Sequence, residues 1–463
     1  MLAALSVGGA GVRAGHMWGY ETIVARAGRR LAEYSHLGPR LAIVSQREPS
    51  RAPPDASDAG VHLDTWGGRR LATPTAYNAF AAALRADAVV ALHDDVPVSV
   101  GKNRARTASE RNAAWAEVAG AAARAARERT GSVAAAGDQS AQALLGFAPA
   151  IVDKVLREKT LSRISAAFAG VTSGFSLSTA LIDDAALYAD TLSQLPAGGV
   201  RLLSGVGSPR TVLQAVAMGV DIFDSDYPEL LSRFGYAAAW SIDAADAAAR
   251  ASAEAGGDPS RVRAASRGDG GFRSWVDAAG AASAAIVGGA VDPADAPHGP
   301  LRVGKGATEA DGAAAGIAAV TSNAGRKGFS GGGAGDGGEP LAEAIAALTA
   351  DVTKLDAASP RFVDDASPLV SGCTCYACAG TSAWPAAALA ALSPTRDGRP
   401  IVATGHGRRY IHHLLRTQEM LGRVLLTVHN THHYSRFLDA VREAVREGRL
   451  EEYTRWWVSE NEP

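Results

Sequence analysis

Cysteine is nearly absent from this chain: there are three in 463 residues, all inside Cys373-Thr374-Cys375-Tyr376-Ala377-Cys378. An odd number of thiols crowded into one loop argues against an extracellular disulfide framework, which needs paired cysteines spread along the chain. Net charge is almost absent too. At −2, with 46 basic against 48 acidic residues, the molecule as a whole steers a polyanion weakly, so any nucleic-acid contact must use a local patch. Arg, Asp and Glu interrupt the alanine-rich stretches, and no apolar run approaches the roughly 20 residues of a membrane-spanning helix. The sequence reads as soluble. Met1 to Gly15 carries only Arg13, too little charge for a targeting peptide, and stays unassigned. No G-x-G-x-x-G follows an early strand, so the signature of dinucleotide binding is missing.

What is present is an alternation. Leu41 to Val44, Ala88 to Leu92, Val171 to Phe175, Val200 to Val206 and Val220 to Phe223 read as buried strands. Between them Ala79 to Arg85, Ala105 to Ala126, Leu181 to Gln194 and Pro209 to Met218 have helix-forming composition, as βα units require. Repetition over this length predicts a parallel α/β fold. A (β/α)8 TIM barrel is preferred to a doubly wound sheet.

From Asp277 to Pro340 the chain consists largely of Gly, Ala, Asp and Ser, a composition that cannot bury enough apolar surface to offset the entropy of ordering. The expected organisation is a barrel over 1–276, a flexible insertion over 277–340, and a C-terminal subdomain with a helical tail over 341–463. A second insertion, Ala379 to Gly407, interrupts the last part. After it, Leu414, Leu415, Leu421, Leu425 and Leu426, then Phe437, Val441 and Val445, form apolar stripes at helical spacing.

The cysteine spacing, C-x-C-x-x-C, lets three thiolates turn back toward one point, as a tetrahedral Zn²⁺ site requires. A fourth ligand must come from elsewhere. His406, His412, His413, His429, His432 and His433 lie downstream, and a Cys3His site is the simplest closure. Arg408, Arg409, Arg416, Arg423 and Arg436 stand against Glu419 in the same region. Such a run could grip phosphate, but a solvated helix face is the commoner meaning.

Cys373-x-Cys375-x-x-Cys378, Tyr410-Ile411-His412-His413-Leu414-Leu415 and Leu425-Leu426-Thr427-Val428-His429-Asn430 together resemble the zinc subdomain of the tRNA-guanine transglycosylases. The resemblance implies Cys373, Cys375, Cys378 and His429 as ligands of one structural Zn²⁺. Ser204-Gly205-Val206-Gly207-Ser208-Pro209 and Gly219-Val220-Asp221-Ile222-Phe223-Asp224-Ser225 resemble the barrel of the same family. Asp224 matches its nucleophile, the aspartate that attacks ribose C1′ and holds RNA covalently while one purine replaces another.

Other segments depart from the catalytic pattern. In place of Ser-Asp-Ser-Gly-Gly, whose aspartate is the general acid/base, stands Pro53-Pro54-Asp55-Ala56-Ser57-Asp58-Ala59-Gly60. A missing proton acceptor costs roughly 10²- to 10⁴-fold in rate. Pro-Thr-Arg becomes Pro228-Glu229-Leu230, and the Gly-Gly-Leu of the purine pocket becomes Ser173-Gly174-Phe175, whose ring is expected to crowd a base. Asp-Glu-Cys becomes His93-Asp94-Asp95-Val96, with Asp94 as the matching carboxylate. The pattern resembles the accessory branch of the family. It implies a chain that is not itself an enzyme, with Asp224 and Asp94 vestigial, in a heterodimer with a catalytic queuine tRNA-ribosyltransferase subunit. The pair would bind tRNA and exchange guanine for queuine at the wobble position. Location is implied as cytoplasmic, with peripheral contact at the mitochondrial outer membrane and no integral segment. Two rivals remain: a transglycosylase in its own right, using Asp224 with Asp55 or Asp58 as base, and a stand-alone zinc-stabilised RNA-binding module.

Overall fold

The computed structural model describes residues 9–37, 40–46, 54–130, 142–181, 184–196, 199–205, 207–244, 247, 354–381 and 404–461. The expected insertion at 277–340 and the boundary at 276 fall outside these residues, as does most of the second insertion. The chain divides into two compact units, one holding residues up to Gly207 with Gln214–Ser225, the other Ser208–Leu213 with everything from Asp226 on.

The first unit is built on seven parallel strands: β1 (Gly9–Arg13), β2 (Leu41–Ser45), β6 (Ala88–Val90), β7 (Ala143–Ala148), β8 (Gly174–Leu177), β9 (Val200–Ser204) and β10 (Ile222–Asp224), hydrogen-bonded in that order. A Cβ added to Gly11 in β1 would lie 2.7 Å from Oδ1 of Asp224 in β10. First and last strands therefore face each other, and the sheet is a nearly closed barrel of the TIM type. Val90, Leu145 and Leu202, with Ile43 and Ile222 packed against them, fill its interior, as inward side chains of a small barrel must. β3 (Ala56–Ser57), β4 (Gly60–Thr65) and β5 (Gly68–Ala72) form a separate antiparallel sheet.

Helices occupy the crossovers: α1 (Ala14–Met17), α2 (Glu21–Ala27) and α3 (Leu31–Tyr34) after β1, α4 (Pro74–Leu84) before β6, α5 (Lys102–Thr130), α6 (Lys154–Ala167), α7 (Ala185–Ser193) and α8 (Pro209–Ala217). Local signals set their starts. Asp153 accepts from the Leu156 amide, Asp184 from that of Leu187, and Thr73 from that of Ala76 with Pro74 opening the first turn. β1 and β7 escaped the sequence reading because Gly-Ala-Gly-Val-Arg and Ala-Leu-Leu-Gly-Phe-Ala are too glycine- and alanine-rich to announce strands.

The second unit contains α9 (Tyr227–Arg233), the antiparallel pair β11 (Tyr236–Ala238) and β12 (Lys354–Asp356), α10 (Tyr376–Ala379), α11 (Arg408–Arg416), α12 (Met420–Arg446) and α13 (Leu450–Asn461). α12 buries Leu426, His429, Asn430, His433, Tyr434, Phe437, Val441 and Ala444, one stripe at helical period. Of the apolar residues expected to be interior, Leu421 and Val445 are exposed. Tyr227, Trp240, Tyr434, Phe437 and Trp457 form a linked aromatic core.

The outer edge of the β11 segment has no strand neighbour among the described residues, and side chains supply the missing partners. Asn430 accepts from the Ala238 amide at 2.7 Å and donates to the Tyr236 carbonyl at 2.9 Å. His429 Nε2 bonds the Ala238 carbonyl and His433 Nε2 the Trp240 carbonyl, each at 2.8 Å. Asn461 accepts from the Ser241 amide and donates to its carbonyl, and the Tyr453 hydroxyl donates to Ile242. A helix cannot offer a ladder of backbone groups, so its amides and imidazoles take that part. Among the described residues no helix is long and apolar enough to cross a membrane.

Candidate functional site

Two constellations carry chemistry, one in each unit. In the second, the loop before α10 turns at Gly372, whose φ of 77° lies in the left-handed region. Cys375 then caps α10, its sulfur accepting from the Cys378 amide at 3.3 Å. The returning chain at Gly405 presses so closely on the Cys378 carbonyl that any Cβ there would stand 1.8 Å from the oxygen. Cys373, Cys375 and Cys378 are thus buried together, and α12 adds His429, fully buried.

The four ligand atoms lie within 4.8 Å of one another. Nδ1 of His429 is 3.6, 3.5 and 3.4 Å from the sulfurs of Cys373, Cys375 and Cys378. Zn–S of about 2.3 Å and Zn–N of about 2.05 Å at tetrahedral angles require an S···N edge of about 3.6 Å. The separations fit such a centre. Nε2 of His429 donates to the Ala238 carbonyl, which leaves Nδ1 as the coordinating atom in the usual outer-shell arrangement. Burial pulls the His429 pKa down, but the charge of Cys378 and the bonds to all three sulfurs outweigh it and hold the ring well above its ordinary value.

The remaining histidines lie outside this cluster. His406 stacks on Tyr410, His432 meets the Thr374 hydroxyl at 3.3 Å, and His433 bonds the Trp240 carbonyl. Burial lowers the pKa of His406 and of His412, and His413 is exposed. In the arginine run, Arg408 is buried on Asp365 at 2.9 Å and the Leu369 carbonyl, and Arg436 pairs with Asp243 at 3.4 Å. Arg409, Arg416 and Arg423 are exposed.

The barrel mouth is the second constellation. Asp224 ends β10, accepts at Oδ2 from the Ser204 hydroxyl at 3.2 Å, and lends its carbonyl to the Gly205 amide at 2.8 Å. A small, largely filled cavity is lined by Ser45, Val90, His93, Asp95, Phe147, Ser176, Leu177, Leu202 and Ser204.

Asp94, the matching carboxylate by sequence, faces α5 instead: Arg104 grips both its oxygens at 2.8 and 2.6 Å, and Arg111 adds a bond at 3.1 Å. Its neighbour Asp95 lines the cavity and accepts from the Ser178 hydroxyl at 2.7 Å. Sequence reasoning missed Asp95, because a one-residue offset in a short strand end reverses which side chain faces inward. Asp58 pairs with Arg111 at 2.8 Å and Asp55 with Arg69, so both acids considered as replacement bases sit in surface ion pairs. Phe175 does not crowd the cavity. It packs edge-on against Phe168 at the end of α6, over Gly146, where a Cβ would approach its ring to 2.6 Å.

Comparison with known proteins matches residues 41–254 and 339–463 to the queuine tRNA-ribosyltransferase family. Similar curated proteins include queuine tRNA-ribosyltransferase accessory subunit 2 of Anopheles gambiae, 37% identical over 22% of this chain and 18% of that protein. Queuine tRNA-ribosyltransferase of Thermus thermophilus is 34% identical over 22% and 20%. The accessory subunit 2 of Xenopus tropicalis is 34% identical over 19% and 16%. The matched stretches span no more than about a fifth of the length of these relatives.

The expectation that the chain is not an enzyme is overturned here. The family is that of the ribosyltransferases, relatives from Thermus, Delftia and Synechococcus carry that name, and the nucleophile-matching Asp224 stands in the barrel mouth beside Ser204. Barrel, cysteine cluster and residues matched agree: the chain belongs to the queuine tRNA-ribosyltransferase family.

Proposed function

We propose that this chain takes part in the exchange of guanine for queuine in tRNA and that Asp224 performs the covalent step. The position of its carboxylate carries the reading, at the C-terminal end of a barrel strand, hydrogen-bonded by Ser204 and facing the side-chain-free Gly11. An oxygen of Asp224 bonds to ribose C1′ as the C1′–N9 bond breaks, and guanine leaves with the bonding pair and takes up a proton. The incoming base gives up its N9 proton, its nitrogen bonds to C1′, and the electron pair of the ester bond returns to Asp224. Asp95, on the cavity wall, is the carboxylate placed to accept that proton.

Cys373, Cys375, Cys378 and His429 hold one structural Zn²⁺ in this reading, supported by the tetrahedral edges they define. The metal supplies folding energy to the second unit, not chemistry at the barrel. Relatives named as accessory subunits favour a dimer with a second subunit of the same family, sharing the tRNA.

The test measures incorporation of labelled guanine into tRNA, and a denaturant-stable protein–RNA adduct, by the purified chain with and without a co-expressed transglycosylase subunit. Activity and adduct on this chain should vanish in Asp224→Ala. An unchanged adduct in that variant, or no exchange with either preparation, refutes the proposal.

A further inference from the structure

We propose that His93 is a specificity-determining residue of the barrel mouth: its imidazole covers the face of Phe147 on which a flat nucleobase would stack, and a base enters only by replacing it. The inference rests on the base-exchange reading for the identity of the ligand.

The two rings stack face to face, centroids 3.8 Å apart and planes 13° from parallel. That is van der Waals contact, so no third ring fits between them. Both residues line the cavity that also holds Ser204, the hydrogen-bond donor to Asp224. The rest of the polar lining is Ser45, Ser176 and Asp95, hydroxyls and a carboxylate suited to a sugar and a base edge. The slot on Phe147 is thus the flat, apolar complement of a polar nucleoside site, and the chain fills it with a heterocycle of its own.

The way His93 is held separates main chain from ring. Its amide donates to Gln46 Oε1 at 3.1 Å and its carbonyl accepts from Gln46 Nε2 at 2.6 Å, so the backbone is clamped from both sides. The ring is tied by Nδ1 to the Ala91 carbonyl at 2.9 Å. Rotation about the Cα–Cβ bond exchanges that tie and the stack for another position while the clamp stays intact. A base gives Phe147 an equivalent stack, so the exchange is ring for ring.

The test is equilibrium dialysis of radiolabelled guanine against the full chain. His93→Ala vacates the slot, His93→Asn vacates it while keeping a donor for the Ala91 carbonyl, and His93→Phe fills it again. The first two should bind guanine about 2- to 12-fold more tightly than the parent, the range set by one aromatic stack. His93→Phe should show no gain, and Phe147→Leu added to His93→Ala should abolish the gain. Unchanged or weaker binding by His93→Ala and His93→Asn overturns the proposal. Should those variants fail to fold, NMR on the parent decides. A His93 ring proton shifted by Phe147 must exist and must lose that shift as guanine binds, and a shift that is absent or persists at saturation refutes the exchange. All readouts are binding, so they fail independently of turnover by Asp224.

Discussion

Replacing Asn430 with alanine should release the edge of β11. The amide of Asn430 is wholly buried and acts as a strand partner, taking the Ala238 N–H at 2.7 Å and meeting the Tyr236 carbonyl at 2.9 Å. It also donates to the Ser232 hydroxyl at 2.9 Å, but Ser232 keeps a bond to the Pro228 carbonyl at 2.6 Å. The truncation therefore orphans two main-chain groups, the buried Ala238 N–H and the part-buried Tyr236 carbonyl. At about 1–3 kcal/mol for each unsatisfied buried group, less what local relaxation recovers, the loss is about 2–4 kcal/mol, or roughly 30- to 1,000-fold in protection against opening. Amide hydrogen exchange of the metal-loaded chain, read at Ala238, measures this directly. Asn430→Asp is the control: it keeps the acceptor for Ala238 and sets a carboxylate against the Tyr236 carbonyl, so stability should fall while the Ala238 bond persists. A loss of protection below about fivefold in Asn430→Ala would show that the side chain is not the partner of this edge.

Three further outcomes are expected. Cys375→Ser or His429→Ala should reduce metal content, read by mass spectrometry, from about one ion per chain toward zero, and should lower the melting temperature of the second unit; chelator should do the same to the parent. Gly11→Ala places a methyl 2.7 Å from Oδ1 of Asp224 and must shift that carboxylate, so base exchange should fall about 10- to 100-fold while the melting temperature changes little; equal activity would show that Asp224 is not the reacting group. Burial, with Asp356 nearby, pushes the Tyr236 hydroxyl up to about 12. A folded pKa above the unfolded value near 10 gives stability that is complete below pH about 10 and lost as pH rises toward 12, so urea melts should fall across that window, less steeply in Tyr236→Phe.

Much of this molecule was legible before folding was considered. C-x-C-x-x-C brings three thiols close along the chain, and the alternation of short apolar runs with alanine-rich helices specifies a parallel α/β fold, because both are local patterns; closure into a barrel shows only where Gly11 of β1 meets Asp224 of β10. The tertiary structure decided what depends on where a side chain points. It carried His429, which the family resemblance had singled out and the cysteine spacing alone could not, from α12 to the three sulfurs. It turned Asp95 inward and Asp94 out to Arg104 and Arg111, a difference of one residue in a two-residue period. It carried Phe175 away from the mouth toward Phe168 and set the imidazole of His93 on Phe147. Sequence dictates the period of each element, but the phase, meaning which face meets which partner, is fixed only when distant segments compete for the same buried space.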